Sequence, residues 1–209
     1  LPRPEKRIRP NEYLSDKRDM IKLSILIPSL ISRNEQFLSL KEELFRQIIE
    51  ANATEDVEIL DYVDSGEASI GAKRNVLLQK ATGQYVAFFD DDDKPSSHYI
   101  AKVLAGCNEG KDCCSLRGVI TFNGDTPEIF EHSIKYDAYK TNHTGVPKYE
   151  RYPNHLNAIR SDIARSFTFP EINHGEDTDW ATQIKRAGSI TTEAVITDII
   201  YHYQYVSKK

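Results

Sequence analysis

AKRNVLLQKATGQYVAFFDDDD, residues 72–93, decides the fold. Its first part continues a helix that starts near Ile70 and runs to Ala81, where Gly83 breaks it. Tyr85 to Phe89 is then short and wholly apolar, and four carboxylates follow it without a spacer. That order describes a strand covered on both faces that empties into a charged loop. Working outward, residues 21–28 (IKLSILIP) are another near-continuous apolar strand, expected to end at Pro28. Phe37, Leu40, Leu44 and Ile48 recur at steps of three and four, which predicts a helix from about Glu35 to Ala51. Val57 to Val63 reads as the second strand. Pro95 and a Ser96 or Ser97 cap open a third helix that reaches about Gly106.

Strands and helices alternating in this way predict a mostly parallel, doubly wound sheet. Ligands of such sheets sit at the carboxyl ends of the strands, so the loops after Pro28, Val63 and Phe89 are the ones to inspect. The second half changes character. Residues 112–122, 129–136 and 190–205 read as strands, with short helices near 161–166 and 177–187. The fold class expected is α/β: one domain with a Rossmann-like central sheet flanked by helices, plus a smaller mixed β region in the C-terminal half. Residues 1–19 are polar and read as an arm or leader. Residues 20–209 form the domain, with a nucleotide-binding half to about 110 and a second half beyond it. Met20 is the only methionine and stands at that boundary.

Composition narrows the function. The formal charge is −5, which argues against a general nucleic-acid binder. Three cysteines, Cys107, Cys113 and Cys114, cannot all pair, and no CxxC occurs. Free thiols fit a reducing, cytoplasmic setting. No apolar run is long enough to span a bilayer.

Four constellations carry chemistry. In FFDDDD (88–93) each carboxylate disfavours ionisation of the next, a cost that a divalent cation such as Mg²⁺ or Mn²⁺ removes. A solvated acidic turn is the plainer reading, and the position beyond a central strand favours the cation. In SIGAKRN (69–75), Lys73 and Arg74 open a helix against its dipole, which suits a bound diphosphate or else a solvated basic pair. Arg33, after the first strand, is a similar candidate. Asp64, after the second, is either a base- or ribose-binding acid or an ordinary turn aspartate. In HGEDTDW (174–180) the acids Glu176, Asp177 and Asp179 are either dipole caps or a general base. In YHYQY (201–205), His202 is either packed or a ligand, and His155 in PNHLN shares that ambiguity.

Together ILIPSLISR (25–33), the acid of YVDSG (62–66), residues 72–93 and FPEINHGEDTDWATQIKRAG (169–188) resemble the family 2 nucleotide-sugar glycosyltransferases of the GT-A fold. The likeness covers most of residues 21–205. FFDDDD matches the family's DxD element and GEDTDW its base element. The resemblance implies an inverting transferase using a nucleoside-diphosphate sugar, often UDP-linked, with Mn²⁺ or Mg²⁺, and a glycan or glycoconjugate acceptor. It implies Asp92 as principal metal ligand, Asp90 at the ribose or metal shell, and Asp91 supporting the donor sugar or metal. It implies Asp64 at the base, Lys73 and Arg74 at the nucleotide or diphosphate, Asp177 as catalytic base, Glu176 beside it on the acceptor side, and His202 completing the metal shell. DSGEAS departs from the family's two acids before Gly-Ser, which bears on nucleotide identity.

Two other classes compete. A sugar-nucleotide nucleotidyltransferase would carry a glycine-rich loop after the first strand, where this chain has PSLISRNE. A non-catalytic carbohydrate-binding module would have lost acids that are all present here. Tyr136, Tyr139, Tyr149 and Tyr152 lie in the segment 123–160, expected to build the acceptor side, and could stack on sugars or fill the core.

Overall fold

The structure is a computed structural model that describes residues 21–206. The N-terminal arm and Met20 lie outside the described residues. Two six-stranded sheets make up the framework. The first is built on β1 (Leu23–Leu30), β2 (Val57–Asp64) and β3 (Tyr85–Phe88), which are mutually parallel in the order β3-β1-β2. The second starts with β4 (Lys94–Pro95). Next, β5 (Cys113–Cys114) extends the first sheet, while β6 (Leu116–Phe122), β7 (Glu128–His132), β8 (Lys140–Thr141) and β9 (Tyr149–Arg151) belong to the second. Of the last three, β10 (Ile159–Arg160) and β11 (Glu193–Ala194) join the first sheet and β12 (Tyr201–Tyr205) the second.

The helices are α1 (Asn34–Glu50), α2 (Ile70–Lys80), α3 (Tyr99–Asn108), α4 (Ser161–Ala164) and α5 (Glu176–Ala187). The expected apolar stripe buries Phe37, Leu40, Leu44 and Ile48 of α1 against Leu23, Ile25 and Ile27 of β1. Leu26 faces the opposite way, into Leu77 and Leu78 of α2, Ile163 of α4 and Trp180 and Ile184 of α5. β1 is therefore covered on both faces, which is why its sequence is almost continuously apolar.

Several expectations need correction. β1 does not stop at Pro28 but runs to Leu30, with Pro28 in register with Tyr62. Leu26 accepts from the Phe89 N–H on the β3 side, so Pro28, two residues on, faces the same side, where β3 has ended. Its missing N–H therefore removes no ladder bond. Helix α3 starts at Tyr99, with His98 rather than a serine at the cap position. The segment 112–122 divides at Ser115 between the two sheets, and 190–205 likewise divides into β11 and β12. The mixed β region is thus a full second sheet, and the first is mixed too, because β10 runs antiparallel to β3 and β5. Among the described residues no helix is long and apolar enough to cross a membrane.

Candidate active site

The carboxyl ends of β1, β2 and β3 converge as the sheet rule requires. At the end of β2, Asp64 accepts from the N–H groups of Gly66 and Ala68, both at 2.9 Å, and pairs with Lys73. Lys73, followed by those amides, holds the Asp64 carboxyl below its ordinary range. Lys73 is buried and also donates to the Ser29 carbonyl at 2.7 Å. The two residues expected at the base and the diphosphate are thus engaged with each other, locking the β1 and β2 ends together.

The acidic run is held at every position. Arg74 is 2% exposed and donates through Nη2 to Asp90 at 3.0 Å and through Nε to Glu176 at 3.3 Å. Its guanidinium also lies over the Phe88 ring, 5.1 Å from the centroid. Its remaining nitrogen, Nη1, is buried without a partner. Ser29 donates to Asp91 at 2.6 Å. Arg33 reaches Asp91 at 2.7 Å and Asp92 at 3.1 Å through one nitrogen. Asp93 is buried, accepting from the Tyr201 hydroxyl at 2.7 Å and the Gln204 N–H at 3.0 Å.

Like-charge crowding then separates the four acids. Burial opposes ionisation of Asp90, but Arg74 and then His155 overcome it and hold that carboxyl well below the usual range. Burial first, then the charges of Asp90 and Asp91, raise the Asp92 carboxyl, with Arg33 opposing them. Asp93 is pushed up to about 8, by burial first and Asp90 second.

His155 is the residue whose importance the sequence left open. Its ring is buried, with Nε2 3.4 Å from Asp90 Oδ2 and Nδ1 3.6 Å from Asp177 Oδ2. Antiparallel pairing of β10 with β3 puts Ile159 opposite Val86, and the turn at residues 155–157 just before β10 carries His155 to the end of β3. The Phe88 N–H donates to the His155 carbonyl at 2.9 Å, which holds this turn against the end of β3 and the His155 ring beside Asp90. Sequence periodicity cannot reveal such a pairing, because β10 is only two residues long.

Asp177 is the second residue of α5, whose first turn carries Glu176, Asp177 and Asp179. Gly175 precedes it at φ 84°, a left-handed conformation that glycine adopts without strain. Asp177 is half-buried and opens into a cavity of about 410 Å³, which Asp90 also lines. Tyr139, Tyr149, Tyr203, Arg151 and Phe122 form much of the remaining wall. Of the four tyrosines singled out, Tyr139 and Tyr149 line this cavity. Tyr152 is buried with its hydroxyl 2.8 Å from Thr182 Oγ1, and Tyr136 donates to Glu131 at 3.2 Å. Glu176, expected on the acceptor side, is instead buried behind Asp90 on Arg74. His202 sits on β12 opposite Lys94 and makes no side-chain hydrogen bond or ion pair among the described residues.

Among the described residues no three His, Cys, Asp or Glu side chains are grouped to hold a metal ion unaided. Any cation here would need ligands from a substrate, the arrangement expected of Mg²⁺ held by one or two carboxylates plus phosphates.

Residues 42–168 match the family model described as glycosyl transferase family 2. No match is found among curated proteins. Among solved structures the chain is similar to residues 1–349 of S. aureus TarS, with a TM-score of 0.58 and 15% identity over 88% of this chain and 60% of that one. The same protein in complex with UDP-GlcNAc gives a TM-score of 0.56 and 16% identity over 90% and 60%. The catalytic domain of Drosophila β1,4-galactosyltransferase 7, in complex with xylobiose, gives 0.52 and 14% over 86% and 66%. At these identities the likeness is one of fold, and this chain spans about 60% of the length of the TarS structures.

Proposed function

The chain belongs to glycosyl transferase family 2, and from that premise we propose that it moves a sugar from a nucleoside-diphosphate donor to a hydroxyl of a glycan or glycoconjugate, inverting the anomeric centre. One observation carries the reading: Asp90 and Asp177 face one cavity and flank the buried His155 ring, at 3.4 Å and 3.6 Å. An acid at the donor end and a base at the acceptor end, with a ring's width between them, suit a displacement in which leaving group and nucleophile lie on opposite sides.

Asp177 is the general base, accepting the acceptor hydroxyl's proton as its oxygen attacks the anomeric carbon. The carbon becomes oxocarbenium-like as the bond to the diphosphate breaks. Arg74, with an unmatched buried N–H donor beside Asp90, and Arg33 at the mouth of the acidic run bind and orient the donor. Lys73 and Asp64 hold the loop on which the nucleotide rests. A UDP-linked donor is supported by the similar TarS structures with UDP-GlcNAc and UDP.

Asp92 and Asp90, together with the donor's phosphates, would hold Mn²⁺ or Mg²⁺, and His202, expected as a third ligand, is not grouped with them among the described residues. Asp92 fits a cation because it is the exposed acid of the run, paired only with Arg33 among the described residues, at 3.1 Å, and a divalent ion there would relieve the crowding with Asp90 and Asp91. Such an ion supplies neutralisation of the charge developing on the diphosphate.

A product assay with UDP-sugars and Mn²⁺ tests the proposal. Release or transfer of the sugar with free UDP is the expected result. In a parallel assay, release of pyrophosphate from UTP plus a sugar 1-phosphate would identify a nucleotidyltransferase instead, and absence of any turnover alongside absence of UDP binding would leave a module without this chemistry.

A further inference from the structure

The cavity that Asp90 and Asp177 line also holds a cation that the reaction as described does not use. Arg151, the last residue of β9, is the only Lys or Arg in the lining of the 410 Å³ cavity. It is half-buried and its guanidinium lies over the Tyr139 ring, 4.5 Å from the centroid. Arg33, Arg46, Arg74 and Arg160 each meet a carboxylate within 4.0 Å, whereas Arg151 meets none among the described residues. A partly desolvated guanidinium without a counter-charge is an unmet electrostatic demand.

Tyr139 fixes where that guanidinium sits. The hydroxyl of Tyr139, on the ring beneath Arg151, is buried and has no hydrogen-bond partner. That hydroxyl is closed off from the cavity, so it is the ring of Tyr139, not its hydroxyl, that presents the Arg151 guanidinium. His132, in register with Arg151 across β7 and β9, does not compete for an anion. Burial first, then the Arg151 charge, push it down to about 3, so its ring is neutral. The cavity's one Lys or Arg therefore stands on an aromatic part of its lining.

We propose that the acceptor carries an oxyanion, a carboxylate or a phosphate, held by Arg151 while its hydroxyl is presented to Asp177. This rests on the reading of the cavity as the acceptor side of a glycosyltransferase. A guanidinium fork matches either group with two parallel hydrogen bonds. The aromatic neighbours Tyr149 and Tyr203 cover the sugar's apolar face.

The test titrates the full chain, preloaded with UDP and Mg²⁺, with three probes by ligand-observed NMR. These are methyl glucuronide, glucose 6-phosphate and methyl glucoside. UDP affinity is measured on the same sample by calorimetry. One charged probe should bind about tenfold tighter than the neutral one, as a charge-assisted contact predicts. Preference for the glucuronide identifies a carboxylate, and preference for the sugar phosphate identifies a phosphate. Arg151→Gln should abolish the preference while leaving UDP affinity and neutral-probe binding unchanged. Arg151→Lys, which keeps the charge and loses the fork, should retain part of it. Equal binding of all three probes to a protein that binds UDP, or a preference that survives in Arg151→Gln, overturns the proposal alone. Failure of the wild-type chain to bind UDP overturns the donor-site reading beneath it.

Discussion

At the scale of single residues, the account turns on two aspartates placed in opposite environments. Asp177 is half-exposed at a helix start and faces a cavity, while Asp93 is buried under Tyr201. Asp177→Asn removes the base and leaves the donor side untouched. Transfer should fall about 10²–10⁴-fold while UDP binding is retained. Single-turnover transfer and calorimetric UDP binding on the same protein check this, and a near wild-type rate removes Asp177 from the role. Asp93 makes a prediction about stability. An unfolded aspartate titrates at about 3.9, and the folded value is about 8. The folded chain holds this proton more tightly, so the contribution is complete below about pH 4 and is lost as pH rises toward 8. Asp93→Asn stops that titration and keeps an oxygen for the Gln204 N–H. In metal-free buffer the variant should melt several degrees above wild type at pH 8, with the gap narrowing at pH 5. A gap that does not change with pH would mean that Asp93 titrates normally.

At the scale of elements, α2 and the segment before α5 set the site's width. Gly71 donates to the Ile172 carbonyl at 3.2 Å, and a Cβ there would stand 1.9 Å from the Pro170 carbonyl oxygen. Asn75 exchanges two hydrogen bonds of 2.9 Å with the backbone of Phe169. These contacts hold Arg74 between Asp90 and Glu176. Gly71→Ala must push the two elements apart, at a cost of about 1–3 kcal/mol. Urea unfolding should show a lower midpoint with an unchanged slope, together with weaker donor binding. Wild-type stability would show that the loop yields freely. Helix α2 was legible as an anomaly, because two cations in its first turns oppose the dipole, and the structure buries both. Helix α1 was legible from its apolar period alone. The strands β5, β10 and β11 were not, because each is two residues long and exists only through distant partners. Ser115 illustrates this: its N–H donates to the Ala194 carbonyl at 2.8 Å, which divides an apolar run between two sheets, and nothing local marks the division.

At the scale of the whole molecule, two sheets meet around the acidic run. β3 delivers Asp90 to Asp93, β12 clamps them from the second sheet, and the antiparallel return through β10 brings in His155. The motifs of the acidic run and of α5 could be read from the sequence because each is contiguous. The bridge between them could not, because it depends on a strand that reverses direction within an otherwise parallel half. Arg151 and Tyr139 were hidden in the same way, on the wall built by the second sheet.

The central claim is that the third strand's acids form the donor end of this cavity, with a cation that completes its shell on the donor's phosphates. Calorimetric titration of Mn²⁺ with UDP into wild type and Asp92→Asn tests it most directly. The account predicts saturable binding to wild type that requires the metal, weakened about tenfold or more in the variant. Binding of equal strength in both proteins, or none in the folded wild type, contradicts it.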